Sequence, residues 1–207
     1  GRGAVLAESD GLANAPFLVV TDLDGEGRDS KIRLALPITE AEIRALFATR
    51  ITSRDAVEWS AREGRILARR REHFGALILS ERPLDKVDED ARARAAWDGV
   101  VAEGLYWTPK AARLRARIRL LPDGPDITAA GLLADGDWLI PFLGQIRNRG
   151  DIRGLDLTQP LMNLLGWDGQ QALNRVAPAQ FTPPLGRQGP LDYAAEPPAV
   201  ALRRQEV

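Results

Sequence analysis

The sequence predicts an α+β fold: an antiparallel β-barrel of the oligonucleotide-binding (OB) type with an inserted helix, followed by a mostly helical C-terminal domain with a short β tail. Three observations predict it. Strand patterns fill the first domain, residues 1–84, and one strongly capped helix interrupts them. An acidic, proline-containing connector, ERPLDKVDED, follows at residues 81–90. In the second domain, residues 85–207, helical signals dominate residues 88–177 and extended chain dominates residues 178–207. Other small β-barrels share the outline of the first domain.

The first predicted hairpin has two strands and one tight turn. Residues 15–21 are rich in β-forming side chains, and residues 24–27 (DGEG) offer a turn. Residues 31–36 then alternate charged and apolar side chains, which indicates a strand with one buried face.

A helix over residues 40–49 is predicted by the capping signals at its N-terminus. Thr39 and Glu42 have the spacing of a capping box, and Ile38 and Ile43 have that of a hydrophobic staple. Its expected apolar stripe consists of Ile43, Leu46 and Phe47.

A second strand pair follows this helix. Residues 56–61 form its first strand, residues 63–64 its turn and residues 65–71 its returning strand. Because an interior glycine in a strand often marks a bulge, we expect a bulge or kink at residues 73–75, after which residues 76–79 resume the strand.

The second half of the chain begins with two predicted helices. The first runs from Asp88 to about Gly104, which supplies the residue after the C-cap. Residues 109–121 fit both a strand pattern, with alternating arginines, and helical spacing. The Thr108–Pro109 pair, an N-cap followed by proline at the first helical position, favours a helix. Its residues 110–119 then hold five bases and no acid.

Shorter elements complete the prediction. Helices are expected near residues 127–134, from Asp137 through Phe142, and as a pair, 158–165 and 168–176, that is broken at Gly166. Short strands are expected at residues 180–182, 191–193 and 200–202.

Composition removes several kinds of site. The absence of cysteine excludes disulfides, thiolate zinc sites and cysteine nucleophiles, and one histidine, His73, excludes a multi-histidine metal site. No apolar run approaches the roughly 20 residues that a membrane helix needs. The chain begins GRGAVLAES, without an initiator Met or a signal-peptide core, and we interpret it as a fragment or a processed product.

Charge is balanced but arginine dominates the bases. The 28 Lys+Arg residues face 29 Asp+Glu, and 25 of those bases are arginine because only three are lysine. A polycation for bulk nucleic-acid binding is therefore excluded, whereas a local basic patch is not. Arginine forks suit phosphates and carboxylates better than lysine does.

One such patch is the candidate nucleic-acid site. Its strand carries Arg65, Arg69 and Arg71 on one face and Arg70 on the other, because strand side chains alternate. These bases can hold the phosphates of a single strand, while Trp59 and His73 offer faces for base stacking. The alternative is a solvated or interdomain face in which the arginines pair with carboxylates, and before other information we weigh the two equally. For the tryptophans the usual role is that of a core anchor.

The other motifs give weaker indications of function. Residues 22–27 resemble the start of an EF-hand calcium loop, but Arg33 stands where the loop needs a bidentate Glu, so a hairpin turn is favoured. Neither a GxxxxGK[ST] loop nor GxGxxG occurs. We therefore expect no ATP binding through such a loop, we predict no metal site, and we rank a stand-alone hydrolase with paired carboxylates last.

Several phrases of the sequence together resemble one family. They are GRGAVL, PFLVVTDLDG, DSKIRLALPI, RILARRREHFGALILSERPL, DWLIPFL and LDYAAEPPAVALRRQE, which span essentially the whole chain. They are similar to the C-terminal part of bacterial HrpB-type ATP-dependent RNA helicases of the DExH/DEAH group. The resemblance implies an OB fold plus a family-specific C-terminal extension, with the two motor domains upstream and absent.

The resemblance also implies a function. ATP and Mg²⁺ are expected in the absent motor domains, no cofactor is expected in this chain, and the chain alone should be inactive as an enzyme. The leading hypothesis is an accessory region that guides single-stranded RNA or another nucleic acid and packs on its own upstream helicase domains, in the cytoplasm. The rival hypothesis is a structural or protein-interaction module, with a protein partner and no contact to nucleic acid.

Overall fold

The computed structural model describes residues 3–7, 10–24, 29–183, 188–193, 195 and 197–200, with residue 29 as backbone only. The chain divides into two compact units. The first comprises Gly1–Ala56 and Ala68–Asp85, and the second comprises Val57–Leu67 and Lys86–Val207. The chain thus passes from the first unit to the second within the predicted acidic connector, and the tip of one hairpin belongs to the second unit. The division into two folding domains at residue 84 stays a prediction.

The first unit contains one three-stranded sheet and most of a second, whose hairpin tip belongs to the second unit. In one sheet, strand β3 lies between a parallel neighbour, β1, and an antiparallel neighbour, β2. The bounds are β1 Gly3–Val5, β2 Leu18–Asp24 and β3 Asp29–Pro37. The other sheet has the order β4-β5-β6, with β4 Ile51–Ser60, β5 Arg65–Phe74 and β6 Leu77–Pro83. The mixed α+β class is confirmed, but the described strands do not close into a barrel, which stays a prediction.

The inserted helix, α1, runs from Glu40 to Phe47 and confirms the predicted capping box. The Glu42 carboxylate accepts from the Thr39 backbone N–H at 2.8 Å, and the Thr39 hydroxyl accepts from the Glu42 N–H. Ile43 is buried and Phe47 stacks on Phe74 at 4.8 Å between ring centroids, whereas Leu46 is 70% exposed. Leu46 was wrongly placed in the stripe because a two-turn helix buries only the narrow line through Ile43 and Phe47.

The β4-β5-β6 sheet differs from its prediction in two places. Strand β4 begins at Ile51, five residues early, because its ITSRD start is too polar to read as a strand. Residues 75–76 form a turn between β5 and β6, not a bulge inside one strand, and Gly75 takes the left-handed φ of 58° that this turn requires. A register shift does occur nearby, between Glu72 and His73.

The second unit is mostly helical. Its helices are α2 Glu89–Glu103, α3 Pro109–Ile118, α4 Ala129–Ala134, α5 Arg149–Arg153 and α6 Thr158–Val176. Thr108 caps α3 as predicted, and Asp88, where the other helix was predicted to begin, caps α2. Gly166, with φ 62°, breaks the helical geometry of α6 at the predicted place. Only a 3₁₀ turn, Ile140–Phe142, follows Asp137, because Pro141 provides no N–H to continue a helix.

The tail of the second unit holds a third small sheet. Its strands are β7 Gln180–Phe181, β8 Gly189–Asp192 and β9 Ala199–Val200. They lie close to the three predicted strands, although residues 201–202 of the last prediction fall outside the described residues, as do residues 25–27 of the predicted first turn. In the described part of the chain, no helix is long and apolar enough to cross a membrane.

Two apolar clusters form the core of the second unit. One centres on α2, α5 and the 3₁₀ turn, and the other joins α3, α4 and α6. The hairpin tip packs against the first cluster through Trp59 and Ile66, and the Ile66 N–H donates to the Arg147 carbonyl at 2.9 Å. The unit therefore includes the strand ends that carry Trp59 and Arg65.

Candidate nucleic-acid interface

Strand β5 places Arg69 and Arg71 on one face, as the alternation of side chains predicts. Both guanidinium groups contact the same carboxylate, Glu81 of strand β6, which lies directly opposite Arg71 in the register. The Arg71 Nε donates to the Glu81 Oε2 at 2.6 Å, and Arg69 donates to the Glu81 Oε1. Two bases of the candidate site are thus brought together, but around an acid.

Arg70 lies on the opposite face of β5, which confirms the predicted alternation. Its guanidinium holds the Asp55 carboxylate of β4 in a bidentate pair, with Nε–Oδ1 at 2.6 Å and NH2–Oδ2 at 2.8 Å. Further along the same face, Glu72 accepts from Ser80 at 2.6 Å and from Arg44 of α1 at 2.8 Å. Each of these bases therefore meets a carboxylate of its own unit.

The electrostatics of these pairs favour the charged forms. Hydrogen bonds from Arg71 and then Arg69 hold the pKa of Glu81 below its ordinary 4.5, against the opposing effect of burial. The hydrogen bond from Arg70 likewise lowers the pKa of Asp55 below 3.8. At neutral pH the two carboxylates are ionised, so a phosphate that approached β5 would have to compete with them.

The third candidate base, Arg65, has different surroundings. It belongs to the second unit, and its side chain is 59% exposed. It pairs with Glu63 at 2.6 Å, and its backbone forms an isolated bridge with Asn148. The structure therefore groups Arg69 and Arg71, and it assigns Arg65 to a separate pair.

The two aromatic candidates also differ. His73 is half-buried near the end of β5, beside the register shift. The Trp59 ring packs on Gly99 of α2 so closely that a Cβ at Gly99 would lie 2.6 Å from the Trp59 Cδ2. The buried Trp59 Nε1 has no hydrogen-bond partner among the described residues. Trp59 thus has the surroundings of a core anchor, the alternative weighed for the tryptophans. The nucleic-acid role of all five candidates stays a prediction.

Sequence reasoning missed the acids that pair with the arginines. Asp55 and Glu81 lie on neighbouring strands, 15 and 10 residues from the bases they hold. The signal that could have found Glu81 is the glycine at position 75, since a turn there folds β6 back and brings residue 81 opposite residue 71. The described residues contain no group of three His, Asp or Glu side chains that could hold a metal ion.

Comparison with known proteins gives a consistent result. Residues 50–84 match the family described as ATP-dependent RNA helicase HrpB, connector region, and residues 138–207 match the family described as ATP-dependent helicase C-terminal. The chain is 33% identical to the ATP-dependent RNA helicase HrpB of Escherichia coli (strain K12), over all of this chain and 27% of that protein.

Solved structures agree with this sequence match. The crystal structure of the E. coli DExH-box NTPase HrpB has a TM-score of 0.55 and 33% identity, and that of the E. coli DEAH/RHA helicase HrpB has a TM-score of 0.56 and 30% identity. Each match covers this whole chain and 27% of the solved one. The chain therefore spans about a quarter of the length of the relatives it matches.

Proposed function

Because this chain belongs to the HrpB family, as the C-terminal region of its members, we propose that it is the accessory region of an ATP-dependent RNA helicase. In this function it packs on the upstream helicase domains and guides single-stranded nucleic acid, in the cytoplasm. ATP and Mg²⁺ bind in those upstream domains. The isolated chain accordingly has no RNA-stimulated ATPase activity, which a turnover assay on the purified chain can test.

An exposed apolar face on the β1-β3-β2 sheet carries the packing half of this proposal. Val19 of β2 lies opposite Leu36 of β3, Leu23 lies opposite Ile32, and between them Asp22 lies opposite Leu34, with a register shift on either side of it. Because strand side chains alternate, Ile32, Leu34 and Leu36 share one face of β3. Leu34 and Leu36 are 58% and 64% exposed, and Val19 and Leu23 are exposed as well. We name these five residues the apolar sheet face.

An apolar sheet face of this kind marks an interaction surface. Soluble proteins rarely leave contiguous apolar patches in water, because each large aliphatic side chain gains about 1.5–3 kcal/mol when it is fully buried. The relatives are about four times as long as this chain, so the domains that precede it in the full protein are the partner that this face fits. Their packing on it would remove Leu34 and Leu36 from water.

Reassembly from two polypeptides tests this packing. The upstream part of the full-length protein is produced separately and mixed with the 207-residue chain, and association is measured by size-exclusion chromatography. We expect Leu34→Ser/Leu36→Ser to weaken association at least tenfold and Leu46→Ser to leave it unchanged. Leu46 is the control because it is even more exposed, at 70%, but lies on helix α1. Equal association of both variants would overturn the packing function.

The proposed guiding of single-stranded nucleic acid is supported by the family, and the salt dependence of RNA affinity tests it. Relatives of this chain are named as RNA helicases, and a backbone guide acts through counterion release, so RNA affinity falls with salt at a log–log slope of about −0.7 per phosphate neutralised. Fluorescence anisotropy of a short oligouridine with the 207-residue chain measures this slope. A chain without salt-dependent affinity would contradict the guiding half and leave the packing half standing.

The ion pairs of β5 favour the second candidate function, an interaction module without nucleic-acid contact. Under that function, Arg69 and Arg71 stabilise the sheet through Glu81 and do not meet RNA. The variant Arg69→Ala/Arg71→Ala separates the two. A flattening of the salt slope by about 1–2 supports an RNA contact at β5, whereas lower stability with an unchanged slope supports a purely structural role for these two arginines.

A further inference from the structure

Helix α3 has a second basic surface, to which the hypothesis of a nucleic-acid site on β5 assigns no role. Lys110, Arg113 and Arg117 are spaced three and four residues apart, so they form one strip along the helix. Lys110 and Arg113 are exposed, and Arg117 is half-buried at the end of the strip. The adjoining side of α3, about 100° around the helix from the strip, buries Ala111, Leu114 and Ile118 in the second unit, which leaves Lys110 and Arg113 at its surface. We name these three residues the basic strip.

Among the described residues, no ion pair neutralises the charges of the basic strip. Within the described residues, no carboxylate lies within 4 Å of any base of α3, in contrast to every arginine of β5. The Arg117 Nε donates to the Ala177 carbonyl at 2.7 Å, and its NH2 donates to the Asn174 side chain at 3.2 Å. Both acceptors are uncharged, so they orient the guanidinium without cancelling its charge.

The acid with the closest link to the strip is already engaged. Asp156 accepts from the Thr158 backbone and hydroxyl at 3.0 and 2.6 Å, and these bonds lower the pKa of Asp156, with only a small further effect from Lys110. Its carboxylate therefore influences Lys110 through space but does not hold it. Lys110 and Arg113 remain available to an anion from outside.

The placement of these bases runs against the stability of the helix. Lys110 stands in the first turn of α3, which contains no acid, although the positive end of the helix dipole favours acids there. Like charges three or four residues apart, as in the basic strip, also destabilise a helix by about 0.2–0.5 kcal/mol per pair. Departures from local preference concentrate at functional sites. The strip thus has the features of a surface kept for an anionic partner.

We propose that the basic strip binds the phosphate backbone of single-stranded RNA without sequence preference, an inference that rests on the guiding half of the proposed function. Within α3, the apolar side chains that reach solvent beside the strip are the small Ala112 and Ala116, which offer a protein partner no large anchor, and the exposed Leu120 lies beyond the end of the helix. Lys and Arg side chains are long enough to contact phosphates from a helix surface that has no large protruding groups. Phosphate contacts carry no sequence information, so such binding has no sequence preference. An acidic protein segment is the competing partner that the experiment must distinguish.

Two double variants of the full 207-residue chain test the proposal. Lys110→Ala/Arg113→Ala removes the exposed bases of the strip and keeps a good helix former at both positions. Arg69→Ala/Arg71→Ala removes the same charge from β5. Affinity for a short oligouridine is measured by fluorescence anisotropy over a salt series, with circular dichroism as the folding control. We expect the α3 variant to flatten the log–log salt slope by about 1.4, two phosphates at 0.7 each, and the β5 variant to flatten it less.

The possible results distinguish an error in the basic strip from an error in the proposed guiding function. An unchanged slope in the α3 variant, while the wild-type chain binds RNA, overturns the basic strip and leaves the guiding function intact. No RNA binding by the wild-type chain overturns the guiding function and the strip with it. Binding of polyglutamate as tightly as oligouridine, with equal loss in the α3 variant, overturns the RNA assignment in favour of an acidic protein. Weaker oligouridine binding by the folded α3 variant, with a salt slope flattened by about 1.4, supports the proposal.

Discussion

Strand β5 and helix α3 have the same number of bases and opposite electrostatic surroundings. Each is ten residues long and contains four Lys or Arg residues. In β5 every arginine is paired with a carboxylate, whereas in the described structure α3 has no ion pair at all. The density of bases along a sequence is therefore a poor measure of the charge that a surface presents.

The difference in ion pairing follows from the different side-chain neighbours of a strand in a sheet and of a helix at the surface. A strand has neighbours on both sides, with side chains about 5 Å apart across the ladder, so acids on β4 and β6 reach the bases of β5. A surface helix meets its neighbours through its buried stripe, and its outer side chains see mainly one another and solvent. A basic helix thus keeps its charge, while a basic strand in a sheet loses much of it to cross-strand partners.

The largest effect should come from the apolar side of α3. Ile118→Ala removes a side chain that is 1% exposed, and the resulting cavity should cost about 2–5 kcal/mol of unfolding free energy. Urea denaturation followed by tryptophan fluorescence measures this, because all five tryptophans belong to the second unit. Leu120→Ala, next to the same helix but 45% exposed, should stay within about 0.5 kcal/mol. Equal costs would show that α3 is not anchored by its stripe.

A smaller effect should come from the start of α3. The Thr108 hydroxyl accepts from the Ala111 N–H at 3.2 Å, so Thr108→Ala leaves a helix N–H without its cap and should cost about 0.5–2 kcal/mol. Thr108→Ser retains the hydroxyl and is the control. If both variants unfold at the wild-type urea concentration, capping by Thr108 does not stabilise the helix that carries the basic strip.

These elements also show what the sequence can predict. The caps Thr39 and Thr108 act within three residues, and the breaks at Gly75 and Gly166 depend on one glycine, so local patterns reveal helix ends and interruptions. The meeting of Arg71 with Glu81 depends instead on strand register, which one turn residue sets. The packing of Trp59 depends on tertiary structure, and local patterns contain no signal for it.

A still smaller effect should come from acid, which should destabilise the β5 region at a higher pH than α3. The pKa values of Glu81, Asp55 and Glu72 lie below their unfolded values, so the pairs stabilise β5 above pH values of about 4–5 and lose that contribution as pH falls through the lowered values. Hydrogen exchange measured by mass spectrometry, corrected for the intrinsic rates, should show protection lost in residues 65–83 before residues 109–118. The α3 bases have no described carboxylate partner within 4 Å, so the opposite order would contradict the contrast drawn between the two segments.

The smallest effect should follow from the removal of one carboxylate from β5. Glu81→Gln keeps the shape and an oxygen that accepts from Arg71, but it removes the charge shared by Arg69 and Arg71. If pairing is what withholds these arginines from RNA, the variant should bind oligouridine with a salt slope steeper by about 0.7, which corresponds to one additional phosphate.

Asp24→Asn is the matched control for this last change. It also removes one carboxylate from one arginine, Arg33, on a strand outside the candidate site, so it changes the net charge of the chain equally. A steeper slope in Glu81→Gln alone shows that β5 is a basic site masked by its own acid. The same small change in both variants shows that only net charge matters, and the RNA contact then belongs outside β5. Since the unmasked bases of α3 need no such release, their contribution to the slope should be the same in the wild-type chain and in Glu81→Gln.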